Sequence, residues 1–146
     1  MNKVLFASGS DDWETPQGFF DALNNVFNFR LDVCATPANT KCNCYFTKAE
    51  NGLLQAWSGV CWMNPPYGRE ISRWVQKAYE SALNPGTVVV CLLPARTVTR
   101  WWHDYVIPHA QSVEFIKGRL RFSGRGPAPF PSALVVFGSF SNDRRL

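Results

Sequence analysis

The sequence predicts an α/β fold, with a mainly parallel central sheet and an antiparallel pair near its C-terminus. Three observations predict it. Apolar runs rich in β-branched residues recur at 59–63, 87–93 and 133–140, helical stretches with one apolar stripe alternate with them, and clusters such as Asn84-Pro85-Gly86 punctuate the joins. Of the 146 residues, 46% are hydrophobic and 14% aromatic, enough apolar surface to bury a core and unlike a disordered chain. Residues 1–146 are therefore read as a single minimal domain, with 1–12 and 141–146 as flexible ends.

In chain order, Thr15 and Pro16 offer a helix start, Thr as N-cap and Pro at the first helical position. Phe19, Phe20, Leu23, Val26 and Phe27 then recur at helical spacing, and the helix should end near Asn28. Residues 29–33 read as a short strand. From 35 to 58 the pattern loosens around Pro37, Asn39, Asn43, Asn51 and Gly52, and the segment is expected to be mostly loop. Residues 59–63 form a core strand stopped abruptly by Asn64-Pro65-Pro66-Tyr67-Gly68. An amphipathic helix over 70–83 follows, with Ile71, Trp74, Val75, Ala78 and Ala82 on one face. The run Thr87-Val-Val-Val-Cys-Leu-Leu93 is apolar throughout, as a strand covered on both faces should be, and belongs at the sheet centre. A helix over 99–106, a strand over 112–116, a further strand over 119–122, a Gly/Pro loop over 123–131 and a last strand over 133–140 complete the series. Trp57, Trp62, Trp74, Trp101 and Trp102 are read as core residues.

Composition also limits the partners. The net charge of +4 permits a polyanionic partner without requiring one. No apolar run is long enough to cross a bilayer, and the first residues lack the basic start and apolar stretch of a signal peptide, so no membrane partner and a cytoplasmic location are expected. Cys61 and Cys91 fall inside strands as buried thiols, while Cys34, Cys42 and Cys44 lack the paired spacing of zinc sites, so no metal is expected. His103 and His109 are read as surface residues.

The segment that carries chemistry is Asn64 to Tyr67, because ligands in open α/β sheets bind outside the carboxyl ends of the strands. Two consecutive prolines hold the residue before each of them extended, so the Asn64 and Pro65 carbonyls cannot curl into a helix. With the Asn64 side chain, the corner presents rigid acceptors beside an aromatic ring. A planar target with an exocyclic amino group suits it: the ring stacks on Tyr67 while its N–H groups donate to Asn64 and Pro65. Acceptors that draw the hydrogens out of the ring plane favour the tetrahedral, nucleophilic nitrogen, which is electrostatic stabilisation of developing charge.

Asn-Pro-Pro-Tyr resembles the catalytic tetrapeptide of S-adenosylmethionine-dependent amino methyltransferases. The chain around it is similar to the phage-type DNA N6-adenine methyltransferase family. The supporting segments are Asp12-Trp13-Glu14-Thr15-Pro16, Leu31-Asp32-Val33-Cys34-Ala35, Gly118-Arg119-Leu120-Arg121-Phe122 and Pro129-Phe130-Pro131-Ser132. The resemblance implies a Rossmann-like methyltransferase fold and methyl transfer from S-adenosylmethionine to N6 of adenine in DNA. It implies Asn64, Pro65, Pro66 and Tyr67 as catalytic, and Trp13, Thr15, Pro16, Asp32, Ala35 and Asn64 as lining the donor site. A carboxylate at a strand end suits a cationic donor, and Asp32 is the acid so placed before Asn64; a helix or turn cap is the competing reading. The glycine-rich turn usual after this strand in larger methyltransferases is replaced by Ala35-Thr36-Pro37.

A base flipped from a duplex needs compensating contacts, for which Tyr67, Arg119, Arg121, Phe122 and Arg125 are the candidates. For Arg119 and Arg121 a solvated strand edge is the competing reading. Target selectivity would fall to loops such as 36–58 or 123–131. Two other functions share these features: the same transfer to an RNA base or a protein glutamine, and a nucleic-acid-binding module that has lost turnover.

Overall fold

The computed structural model describes residues 12–141, so the expectations for most of 1–12 and 141–146 lie outside the described residues. Helix α1 (Gln17–Phe27) leads into strand β1 (Leu31–Asp32), and a connection containing β2 (Cys44–Tyr45) and a short 3-10 turn (Gly52–Leu54) reaches β3 (Val60–Met63). Helix α2 (Ile71–Ser81) crosses to β4 (Val88–Pro94). A π-helical turn (Trp102–Val106) runs into α3 (Ile107–His109), then β5 (Ser112–Phe115), β6 (Arg121–Phe122), β7 (Gly126–Pro127) and β8 (Ser132–Phe137).

Six strands form one sheet in the order β2-β1-β3-β4-β8-β5. The first four are mutually parallel, while β8 runs antiparallel to both β4 and β5. The fold is the expected α/β, Rossmann-like methyltransferase arrangement with a mostly parallel sheet, and β6 and β7 form the separate antiparallel pair. Every residue of β4 and of β8 is buried. That is why neither alternates apolar with polar: each has a covered face above and below. Helix α2 lays Ile71, Trp74, Val75 and Ala78 on the core, and α1 inserts Phe20 edge-on against Trp62 at 5.4 Å. The five tryptophans expected in the core are all buried.

Several local details differ from the sequence reading. Helix α1 begins at Gln17, so Pro16 is its N-cap and Thr15 lies outside it with its hydroxyl engaged elsewhere. At the other end Asn28 takes the left-handed conformation with φ 55°, and the Asn24 side chain accepts from the Phe29 N–H. The 35–58 segment is not mere loop: β2 extends the sheet beside β1, a pairing too short to show as a pattern. The helix expected to end at Val106 continues to His109, the Ile107 N–H donating back to the Trp102 carbonyl through the wider π-helical turn. Residues 123–131 include β7, and β6 leaves the main sheet to pair with it.

The 46–54 connection is pressed onto the end of β1. A methyl group on Gly52 would meet the Val33 carbonyl oxygen at 2.2 Å and the Trp74 ring at 3.2 Å, so only hydrogen fits there. Trp57 clamps the same turn by donating its Nε1 hydrogen to the Gly52 carbonyl at 2.8 Å. Gly52→Ala is expected to cost about 1–3 kcal/mol through forced backbone movement. Urea denaturation measures this, and an unchanged midpoint would show that the turn is looser than this packing.

Candidate active site

The Asn64–Tyr67 corner leaves β3 at the carboxyl edge of the parallel strands. The Asn64 Nδ2 donates to the Trp13 carbonyl and, at 2.9 Å, to Thr15 Oγ1. A carbonyl can only accept, so the nitrogen must face it and the orientation of the amide is fixed. The opposite atom, Oδ1, is buried with no partner among the described residues. An unmet buried acceptor costs about 1–3 kcal/mol, and Asn64 keeps one beside a cavity. The Pro65 carbonyl likewise receives no hydrogen bond from the described residues.

Tyr67 is placed differently from the expectation. Its ring is buried, edge-on to Phe130 at 5.5 Å and Phe122 at 6.4 Å, and its hydroxyl donates to the Leu92 carbonyl at 2.8 Å. It does not face the cavity as a stacking platform. A phenol whose polar tip finds a buried carbonyl is more stable inside than out, and here it pins the proline corner to β4. Burial accordingly holds its ionisation well above the ordinary phenol range.

A cavity of about 260 Å³ opens in front of the corner, near the lower end of small-molecule sites, roughly 300–1,000 Å³. Its wall gathers the segments that follow three parallel strands: Val33 to Thr36 after β1, Phe46 to Lys48 after β2, and Asn64 to Pro66 after β3. Asp12, Trp13 and Glu14 close one side; Asn51, Gly52, Glu70 and Trp74 close another. Of the expected donor-site residues, Trp13, Ala35 and Asn64 stand on this wall. Thr15 and Asp32 line a smaller space of about 30 Å³ alongside, which shares Glu14, Cys34 and Asn64 with the larger one. Pro16, the N-cap of α1, lines neither. Phe46, Lys48, Gly52, Glu70 and Trp74 were missed; the Asn51-Gly52 pair was the signal, read only as a turn. Trp74 Nε1 is another buried polar atom without a partner among the described residues.

Asp32 is 3% exposed and its carboxylate accepts from the backbone N–H groups of Lys41 at 3.0 Å and Cys34 at 3.3 Å. Burial outweighs those bonds and raises its pKa to about 6. Below the ordinary carboxylate range it is protonated in both folded and unfolded chains and carries no penalty. Above about 6 it is ionised in both, and the folded chain bears a penalty of about 3 kcal/mol. A cation placed nearby would relieve it. Burial also pushes the thiols of Cys34, Cys42 and Cys61 up to about 12, so none is a poised nucleophile. Among the described residues no group of three or more His, Cys, Asp or Glu side chains gathers as metal ligands do. Nor is any described helix long and apolar enough to cross a membrane.

Of the residues expected to meet DNA, Arg119 and Arg121 are exposed at the β6–β7 hairpin. Phe122 is not available as a stacking surface: it is 2% exposed, packed against Trp13, Tyr67 and Phe130. Arg125 is engaged inward, its guanidinium carbon 3.5 Å from the centroid of the Trp13 ring.

Comparison with known proteins identifies the family. The family model described as DNA N-6-adenine-methyltransferase (Dam) matches residues 4–135. The chain is 36% identical over 112 residues to the DNA N-6-adenine-methyltransferase of Haemophilus phage HP1 (strain HP1c1), an alignment covering 75% of this chain and 64% of that protein. It is 37% identical over 65 residues to the putative methyltransferase YfdM of Escherichia coli (strain K12), covering 39% of this chain and 71% of that one. The chain thus spans somewhat less than two thirds of the phage relative's length. A match over nearly the whole chain, on a fold that sets the Asn-Pro-Pro-Tyr corner at the mouth of a cavity, places this protein in the DNA N-6-adenine-methyltransferase (Dam) family.

Proposed function

We propose that the chain transfers a methyl group from S-adenosylmethionine to the N6 amino nitrogen of adenine in DNA. The observation that carries this reading is the fixed amide of Asn64, which leaves an unmet acceptor at the carboxyl end of β3. The cavity fits the donor chemically. It offers apolar and aromatic walls in Trp13, Ala35 and Trp74 and, on Trp74, an indole N–H with no partner among the described residues. A nucleoside that brings an acceptor would satisfy it. Asp32, in the adjoining space, supplies negative potential for a cationic ligand. When bound, S-adenosylmethionine supplies an electrophilic methyl carbon on a positively charged sulfur.

The residues of the chain do the remaining work on the amine. Asn64 Oδ1 and the Pro65 carbonyl accept its two hydrogens, shifting the nitrogen lone pair out of conjugation and toward the electrophile. Pro66 keeps the Pro65 carbonyl from turning into a helical bond. Tyr67 braces the corner through Leu92, so the acceptors are preorganised before substrate arrives. No strong base is required, since the nitrogen becomes acidic only after it carries the methyl group. Arg119 and Arg121 would meet phosphates at the exposed hairpin.

Incubation with labelled S-adenosylmethionine and adenine-containing DNA should yield N6-methyladenine, identified by mass spectrometry of the nucleosides. Asn64→Ala should lower kcat by about 10²–10³-fold, the usual effect of removing one group that stabilises developing charge. Product from wild type on RNA or a protein glutamine alone, or full activity in Asn64→Ala, would overturn the reading. Donor affinity should rise with pH through about 6 as Asp32 ionises, because only the carboxylate attracts a cationic donor. Calorimetric titration across that range checks this, with Asp32→Asn expected to bind weakly and to lose the dependence. A wild-type profile that is flat would remove Asp32 from the donor site.

A further inference from the structure

The β6–β7 hairpin is tied to the segment that precedes α1 by contacts that the sequence does not suggest. The Arg125 guanidinium stacks on Trp13 at 3.5 Å, and its Nη1 donates to the Asp12 carbonyl at 2.8 Å. The Ser123 N–H donates to the Glu14 carbonyl at 3.1 Å. Phe122 and Phe130 meet the same indole edge-on at 5.4 and 5.1 Å. Asp12, Trp13 and Glu14 all stand on the cavity wall, yet they belong to no helix or strand. Their position is set by these tertiary contacts, because no ladder of backbone bonds holds them. The same segment also orients the chemistry, since the Trp13 carbonyl is what fixes the Asn64 amide.

We propose that Arg125 is a positioning residue of the methyl-donor pocket, its guanidinium stacked on Trp13 and bonded to Asp12 so as to hold the wall at 12–14 in place. By sequence Arg125 groups with Arg119 and Arg121 as a candidate DNA contact. The structure separates it from them: those two are exposed, whereas Arg125 is half-buried and turned toward Trp13. The task suits arginine in particular. A planar guanidinium can lie on an indole face and still direct an N–H in its own plane to a carbonyl; an ammonium is a point charge that cannot present a flat face.

This inference rests on the donor reading above, and its test separates the two. S-adenosylmethionine binding is titrated calorimetrically to wild type, Arg125→Ala and Arg125→Lys, and DNA affinity is measured over a range of salt. Donor Kd is expected to rise about tenfold in Arg125→Ala and about threefold or more in Arg125→Lys. KM for the donor should rise and kcat should fall with it, because the 12–14 segment both walls the pocket and fixes the Asn64 amide. The slope of log affinity for DNA against log salt should stay the same in both variants, and Arg125→Ala should add little once Trp13→Ala is present. A phosphate ligand would behave oppositely: Arg125→Ala would reduce the salt slope by about one while donor affinity held. That result, or unchanged donor Kd in Arg125→Lys, overturns the proposal. Should Arg125→Ala fail to fold, the lysine variant decides alone, because it keeps the charge and loses only the flat, forked geometry. Wild type that binds no donor overturns the donor reading and the clamp with it.

Discussion

The bond from the Asn64 side chain to the Trp13 carbonyl joins two parts of the chain that are 51 residues apart, and the rest of the site is arranged around it. It consumes the nitrogen of the amide, with Thr15 taking the second hydrogen, and so commits the oxygen to the other side. One contact therefore sets the direction of an acceptor, anchors the 12–14 wall to the end of β3, and draws Thr15 away from the capping role its position suggested. A weaker tie would leave the amide able to rotate by half a turn and present a donor instead.

Rigidity behind this contact comes from the sheet. β4 and β8 are buried along their whole length, and Tyr67 reaches from the proline corner to the Leu92 carbonyl of β4. The corner is thus fastened at its start by Asn64 and at its end by Tyr67, with two prolines between that restrict their own φ. Three connections at the carboxyl ends of parallel strands then have room to form a cavity. The sheet does not need a glycine-rich turn after β1 to do this. Ala35 and Thr36 line the wall directly, and Gly52 lets the next connection close down on Val33.

Electrostatically the site is left incomplete. Asp32 is buried without a cationic side chain bonded to it, held by two backbone N–H groups that do not outweigh desolvation. Among the described residues Asn64 Oδ1 and Trp74 Nε1 have no hydrogen-bond partner. Such groups are costly in a folded chain and are usually satisfied; here two orphaned polar atoms on the cavity wall lie close to a buried carboxylate in the adjoining space.

The amino-acid sequence by itself determined the elements whose signal is local. β4 and β8 are continuous apolar runs, α2 carries its stripe at helical spacing, and the Asn-Pro-Pro-Tyr corner stops a strand by proline stereochemistry that needs no neighbours. What only the tertiary structure decided are matters of distant partnership. Tyr67 meets Leu92 across 25 positions and turns inward, and Arg125 meets Asp12 across 113 and turns away from Arg119 and Arg121. β2 is two residues long and exists only because β1 lies beside it. A tyrosine, an arginine or a two-residue strand has the same local preferences wherever it stands; its role depends on which desolvated group the fold brings within reach, and chain order alone does not carry that information.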